Sequence, residues 1–298
     1  MSRLSANALL LLTAAIWGGG FVAQSNAMAS LGSFWFTGLR FVLAFVAVLP
    51  FGLRESRRAA RPLSRGDVGQ MVVLGITFYL GTVIQQFAIS LGTVTHVGFL
   101  TGLYVLFVPL LELVIFRRMP HPVIWPGAAI AVAGTWFLGG GLDSLTASDL
   151  LTIVSALFFA VQIILMDRIA RRTERPVAAA LTQSAVAVVL GCGCGLLWEP
   201  LDVSALPSVA PELLYAGALS GGVAFALQAV GQQYTRAADA AVMMMSEALF
   251  AALFGAILLG ERLNAGGWIG CGCIMASLLL VQLVPLVWPG RAAAARAA

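Results

Sequence analysis

Two charged side chains occupy places where charge is costly. Arg40 is the one charge in "FWFTGLRFVLAFVAVLPF" (34–51), and Glu247 follows three methionines in "AVMMMSEALF" (241–250). An ionised group deep in hydrocarbon costs several kcal/mol even on the milder insertion scales, so each needs a partner, a path to water or a function. A carboxylate at Glu247 can carry a proton, hold an amino group or pair with an arginine. The Arg40 guanidinium can tie a neighbouring carbonyl or carboxylate as a structural charge, or face a vestibule and meet a substrate carboxylate. At ~1.5 Å per residue it lies about 10 Å from the end of its apolar run, within reach of headgroups. His96, in "LGTVTHV" (91–97), is a second candidate for moving a proton.

Other chemistries fit less well. The chain has no lysine, which removes a P-loop lysine and a Schiff-base lysine together. The Cys-x-Cys pairs in "GCGCG" (191–195) and "GCGC" (270–273) resemble metal ligands by spacing alone. On a helix, positions two apart point roughly 200° away from each other, so these read as packing cysteines. No metal or cofactor is expected. Ser220 in "ALSGG" (218–222) falls at a depth similar to His96. A Ser–His intramembrane hydrolase is therefore the reading from a different class, without the local signature such enzymes carry.

Polar and aromatic residues recur at helical spacing along several apolar runs. One stripe holds Trp17, Phe21 and Gln24; another holds Tyr79, Thr82 and Gln86. Ser155, Phe158, Phe159 and Gln162 form a third, and Gln228 lies on a fourth with Phe225 and Gln232. Phe99, Tyr104 and Met244 extend the set, methionine offering an adaptable surface and aromatic faces a place to stack a ligand. Four such stripes suit a shared central cavity. Taken singly, each glutamine fits equally well as glue between helices, worth ~1 kcal/mol or less.

The elements that must position these residues follow from composition. The 298 residues are 60% hydrophobic and 10% charged, with a mean hydropathy of +0.95. Soluble domains run nearer a quarter charged, so this is a polytopic membrane protein. At about 20 apolar residues per crossing, ten helical spans are expected: 6–26, 33–53, 67–90, 95–116, 122–140, 148–170, 177–198, 211–234, 240–260 and 265–288. Arg54, Arg57, Arg58, Arg61, Arg65, Arg117, Arg118, Arg168, Arg171, Arg172 and Arg175 gather in alternate connections, while Asp143, Asp149, Glu199, Asp202 and Glu212 occupy the others with Arg262 as their one arginine. The positive-inside rule then puts both termini in the cytoplasm. The net charge of +4 is a topology signal, and no nucleic-acid partner is expected.

"IQQFAISLGTVTHV" (84–97) and "GQQYTRAADAAV" (231–242) begin alike, close to half a chain apart. Two five-span halves follow, the second entering the membrane from the opposite side because five is odd. Inverted repeats of this kind place a substrate site near the midplane between halves. The expected units are 1–143, 144–290 and a cytoplasmic tail, 291–298.

Several stretches then resemble the EamA-type transporters of the drug/metabolite transporter superfamily over nearly the whole chain. They are "AAIWGGGFV" (14–22), "FWFTGLRFVLA" (34–44), "GFLTGLYVLFVPLLE" (98–112) and "SEALFAALFGAILLGERLNAGGWIG" (246–270). Ala248 departs from the pattern, because members carry proline after the glutamate, and the usual source of a kink there is missing. The resemblance implies a secondary exporter of small organic metabolites in a bacterial inner membrane, with neutral or aromatic amino acids as the leading substrates. Nucleotide sugars and other metabolites or drugs are the alternatives within transport. The partners expected are a small-molecule substrate, the lipid bilayer and, through Glu247 or His96, protons. The chain suits a monomer or a homodimer.

Overall fold

The computed structural model describes residues 1–28, 30–59, 61–92, 94–117, 119–139, 146–258 and 265–288, and their regular structure is helical. In chain order the helices are α1 (Arg3–Gly18), α2 (Gly20–Met28), α3 (Ser33–Arg58), α4 (Arg65–Leu91), α5 (Val94–Thr101), α6 (Tyr104–Phe116) and α7 (Ile124–Gly139). There follow α8 (Ala147–Thr173), α9 (Pro176–Trp198), α10 (Ala210–Leu214), the π-helix Tyr215–Ala224, α11 (Phe225–Gln232), α12 (Ala237–Met244), α13 (Glu247–Leu258) and α14 (Ala265–Val287). Taken end to end, these form ten segments. Among the described residues six are long and apolar enough to cross a membrane: α3, α4, α8, α9, the continuous run Ala210–Gln232, and Ala265–Pro285 of α14.

The other apolar segments are shorter or interrupted. The first is broken at Gly19, between α1 and α2; the fourth at Gly102–Leu103, between α5 and α6; the ninth at Met245–Ser246, between α12 and α13. The last break needs no proline. The Ser246 hydroxyl donates to the Met243 carbonyl at 2.7 Å, and the Ser246 and Ala248 amides reach back three residues, to Met243 and Met245. Tight i→i+3 turns of this kind interrupt an α-helix, and a serine hydroxyl competes for the same carbonyls. An interruption thus survives at the place where Ala248 had removed the expected kink.

Burial is inverted relative to a water-soluble bundle. Val114, Val189 and Leu196 are 73%, 70% and 75% exposed, whereas Gln86, Gln183 and Gln232 are fully buried. An apolar rim around a polar interior is what a bilayer demands, since polar side chains there turn toward protein. The cores between helices are built from clusters such as Tyr104, Val108, Ile163 and Met243–Met245 on one side, and Phe41, Phe78, Tyr79 and Phe225 on another.

The main packing pairs are α3 on α9, α4 on α8, and α7 on α14. Helices α3 and α9 approach backbone to backbone: a Cβ on Gly38 would stand 2.7 Å from the Cys192 amide, and one on Gly191 would stand 2.7 Å from the Gly38 amide. The pair is antiparallel, and each helix ends on a glutamate that caps the other. Glu55 accepts from the Val177 and Ala178 amides at the start of α9 (3.2 and 2.7 Å). Glu199 accepts from the Phe34 and Trp35 amides at the start of α3 (both 3.0 Å to Oε2). Carboxylates there satisfy orphan N–H groups and meet the positive end of the helix dipole.

At the arginine-rich end, Asp67 is held in a capping box by Ser64 and accepts an ion pair from Arg172 at 3.1 Å. Arg61 donates to the Arg172 carbonyl at 2.8 Å, and Arg175 donates to the Arg61 carbonyl. These contacts tie the α3–α4 connection to the α8–α9 connection.

Candidate functional site

Between these helices lies a cavity of about 60 Å³. It has room for a few waters, against the roughly 300–1,000 Å³ of sites that hold drug-sized ligands. Its wall draws on α1, α2, α3, α4, α5, α6, α8, the π-helix, α11 and α13. Broken segments therefore contribute on several sides, and both halves of the chain are represented.

Of the residues picked out by spacing, Trp17, Gln24, Arg40 and Thr82 line the cavity from the first half, together with Tyr104. Gln162, Gln228 and Glu247 line it from the second. Gln86 stands one layer back, fully buried, and donates through Nε2 to Gln24 Oε1 at 2.8 Å. Tyr79 and Met244 stand apart from the lining, packed in the two core clusters. Of the two neighbouring rings on α8, Phe159 lines the cavity and Phe158 does not, although both approach Gly81. Successive helical positions differ by about 100°, and the actual rotation of α8 favours the later ring. The side chains of Phe21, His96 and Phe99 lie outside the described residues.

Spacing alone missed Gln85, Thr101 and Ile163. Gln85 donates to the Thr101 hydroxyl at 2.9 Å, which donates in turn to the Val97 carbonyl at 2.7 Å. The adjacent pair Gln85–Gln86 was the available signal, because a helix as deeply buried as α4 presents two neighbouring positions to protein. Ser220, considered above as a nucleophile, is part of the lining; its carbonyl accepts from Trp17 Nε1 at 3.2 Å.

The two charges define the site. Arg40 is 5% exposed and Glu247 6% exposed. Arg40 Nη1 donates to Gln24 Oε1 at 2.7 Å, and the guanidinium sits 4.8 Å from the Phe41 ring centroid and 5.6 Å from that of Phe36. Aromatic faces stabilise a desolvated cation. Its Nε has no hydrogen-bond partner. Glu247 Oε1 is likewise unpartnered, and the Tyr104 hydroxyl faces this carboxylate outside ordinary hydrogen-bond geometry. Among the described residues neither charge belongs to an ion pair, and no other formal charge lines the cavity.

Glycines set both positions. A Cβ on Gly18 would lie 2.7 Å from the Glu247 carbonyl oxygen, and one on Gly217 would lie 2.6 Å from that of Arg40. Only glycine permits α1 to press on α13, and the π-helix on α3, at these heights. A chain of amides completes the second side: Gln228 donates to Gln162 at 3.4 Å, and Gln162 to Gln183 at 2.8 Å.

A helical membrane bundle with an apolar exterior and an internal cavity, lined by aromatic and polar side chains from both halves, has the architecture of a polytopic transporter. The chain belongs to the EamA-like transporter family, which it matches twice, over residues 4–140 and 146–283. It is 28% identical to an uncharacterized transporter of Archaeoglobus fulgidus over 283 residues, 95% of this chain and 87% of that one. It is 26% identical to the uncharacterized transporter YwfM of Bacillus subtilis over 209 residues, 68% of each. A solved crystal structure, 19% identical, superposes with a TM-score of 0.78 over 95% of this chain and 98% of its own. The family is one of transporters and not of enzymes, which sets the Ser220 hydrolase aside.

Proposed function

We propose that the protein is a secondary exporter of small organic metabolites, foremost neutral and aromatic amino acids, working by alternating access. The observation that carries this reading is the cavity itself: small, walled by rings and amides, and shared by both halves of the chain. Trp17, Tyr104, Phe159 and Phe225 supply apolar and aromatic faces, and the glutamines supply paired donors and acceptors. A volume of about 60 Å³ has to widen before such a substrate can fit, so a change of conformation belongs to the cycle.

The frame we propose is ten spans in two inverted repeats, 1–143 and 144–290, followed by the tail 291–298. The packing supports it, because helix pairs recur under exchange of the halves: α3 on the π-helix answers α4 on α9, and α1 on α12 and α13 answers α8 on α5 and α6. The reciprocal glutamate caps obey the same exchange. Both termini lie in the cytoplasm of a bacterial inner membrane, on the arginine count of the connections. Glu247 is the group we assign to proton coupling; His96 stays an expectation from sequence. A single arginine in the lining argues against nucleotide sugars and sugar phosphates, whose charge calls for several.

The test is reconstitution in liposomes, followed by counterflow of labelled neutral and aromatic amino acids and of nucleotide sugars, with and without an imposed pH gradient. Exchange of amino acids and not of sugar nucleotides is the expected outcome. Exchange of sugar nucleotides alone overturns the reading.

A further inference from the structure

We infer that the cavity recognises its substrate as a zwitterion, with an α-carboxylate on Arg40 and an α-ammonium on Glu247. This deepens the amino-acid reading above and rests on it. Four observations converge. The two side chains come from different halves, on α3 and α13, yet line one cavity. Each is more than nine-tenths buried. Each keeps an atom without a hydrogen-bond partner, Nε on Arg40 and Oε1 on Glu247. Among the described residues the cavity holds one positive and one negative group, and they do not pair with each other or with any third.

Burying two separate charges is unfavourable unless each finds an opposite partner and its hydrogen bonds. A protein that needed only structural neutrality would let the two meet. Here each is held apart by its own supports: Gln24, the Phe41 ring and the contact at Gly217 for Arg40; Tyr104 and the contact at Gly18 for Glu247. A ligand carrying both a carboxylate and an ammonium satisfies both ends at once. An amine leaves Arg40 unpaired, a carboxylic acid leaves Glu247 unpaired, and a phosphate brings extra negative charge toward Glu247. Sites built around buried polar groups reject analogues that leave one unpaired. Trp17, Phe159 and Phe225 are then left to meet the substrate's own side chain.

The experiment takes the full chain in proteoliposomes and the neutral amino acid that exchanges fastest. Counterflow of the labelled compound is competed with four unlabelled ones: the amino acid itself, its decarboxylated amine, its deaminated acid and its amide. Each analogue should compete at least about tenfold more weakly than the amino acid. Arg40→Gln should weaken the amino acid while leaving the amine nearly unchanged. Glu247→Gln should weaken the amino acid while leaving the acid nearly unchanged. Equal competition by amine, acid and amino acid overturns the zwitterion and leaves amino-acid export standing. Exchange of no amino acid overturns both. Should either variant fail to fold, the wild-type competition series decides by itself.

Discussion

Glu55 and Glu199 perform one task at opposite ends of the same helix pair. Glu55, near the end of α3, caps the start of α9, and Glu199, at the end of α9, caps the start of α3. Glu199 also lends its backbone carbonyl to the Trp35 indole at 2.9 Å. Replacing Glu199 with alanine should cost ~1–2 kcal/mol of stability, and with glutamine less, because one acceptor oxygen remains. The two sites are about 30 Å apart at the helical rise, so the Glu55→Ala and Glu199→Ala losses should add. Thermal unfolding of the detergent-solubilised chain reads the effect; a strong departure from additivity counts against independent caps.

Gln24 gathers two donors on one oxygen, Arg40 Nη1 and Gln86 Nε2. Gln24→Leu strands both, one of them charged, and should cost ~2–4 kcal/mol. Gln86→Leu removes one donor and leaves Arg40 held, so its loss should be ~1 kcal/mol. Unfolding measurements on the two variants separate them, and equal losses would contradict the shared acceptor.

Gly217 lets the π-helix lie against the Arg40 carbonyl. Gly217→Ala forces a methyl to 2.6 Å from that oxygen, an overpacking that should cost ~1–3 kcal/mol and move Arg40. Gly193 is a control in an open position, with nothing within 4 Å of the added Cβ. Substrate affinity should fall in Gly217→Ala and stay unchanged in Gly193→Ala, as measured by counterflow.

Cysteine labelling tests the lining. Cysteines placed at Gln228 and Phe159 should react with water-soluble reagents as the transporter cycles, and cysteines at Met244 and Phe158 should not, in a background lacking the four native cysteines. Labelling at Met244 with none at Gln228 would place the water-filled path elsewhere.

Glu247→Gln removes the one carboxylate that lines the cavity among the described residues. Transport driven by an imposed pH gradient should collapse to the rate without a gradient, while counterflow at symmetrical pH persists at reduced affinity. An unaltered response to the gradient would take proton coupling away from Glu247.

Much of the frame was legible in the chain. Runs of about 20 apolar residues mark crossings, because a hydrocarbon core admits no unpaired backbone. Arg40, Gln24, Gln162, Gln228 and Glu247 stood out because polar residues in such runs must face protein or water. Where the spans break was not legible. Nothing in Met245–Ser246 signals an interruption as a proline would, since a serine hydroxyl bends a helix only when a carbonyl lies at hand. Both Phe158 and Phe159 stood on one stripe in the sequence; which ring lines the cavity depends on the rotation of α8, which its neighbours impose.

The sequence by itself determined that this chain lives in a bilayer, that its two halves are alike, and that two opposite charges fall inside apolar runs. Only the tertiary structure decided that these charges share one cavity without touching. Residue types and periodicity state which side chains avoid lipid; which of them meet depends on the crossing of helices far apart in the chain. Those crossings are set where a glycine lets one backbone rest on another, at Gly18 against Glu247 and at Gly217 against Arg40.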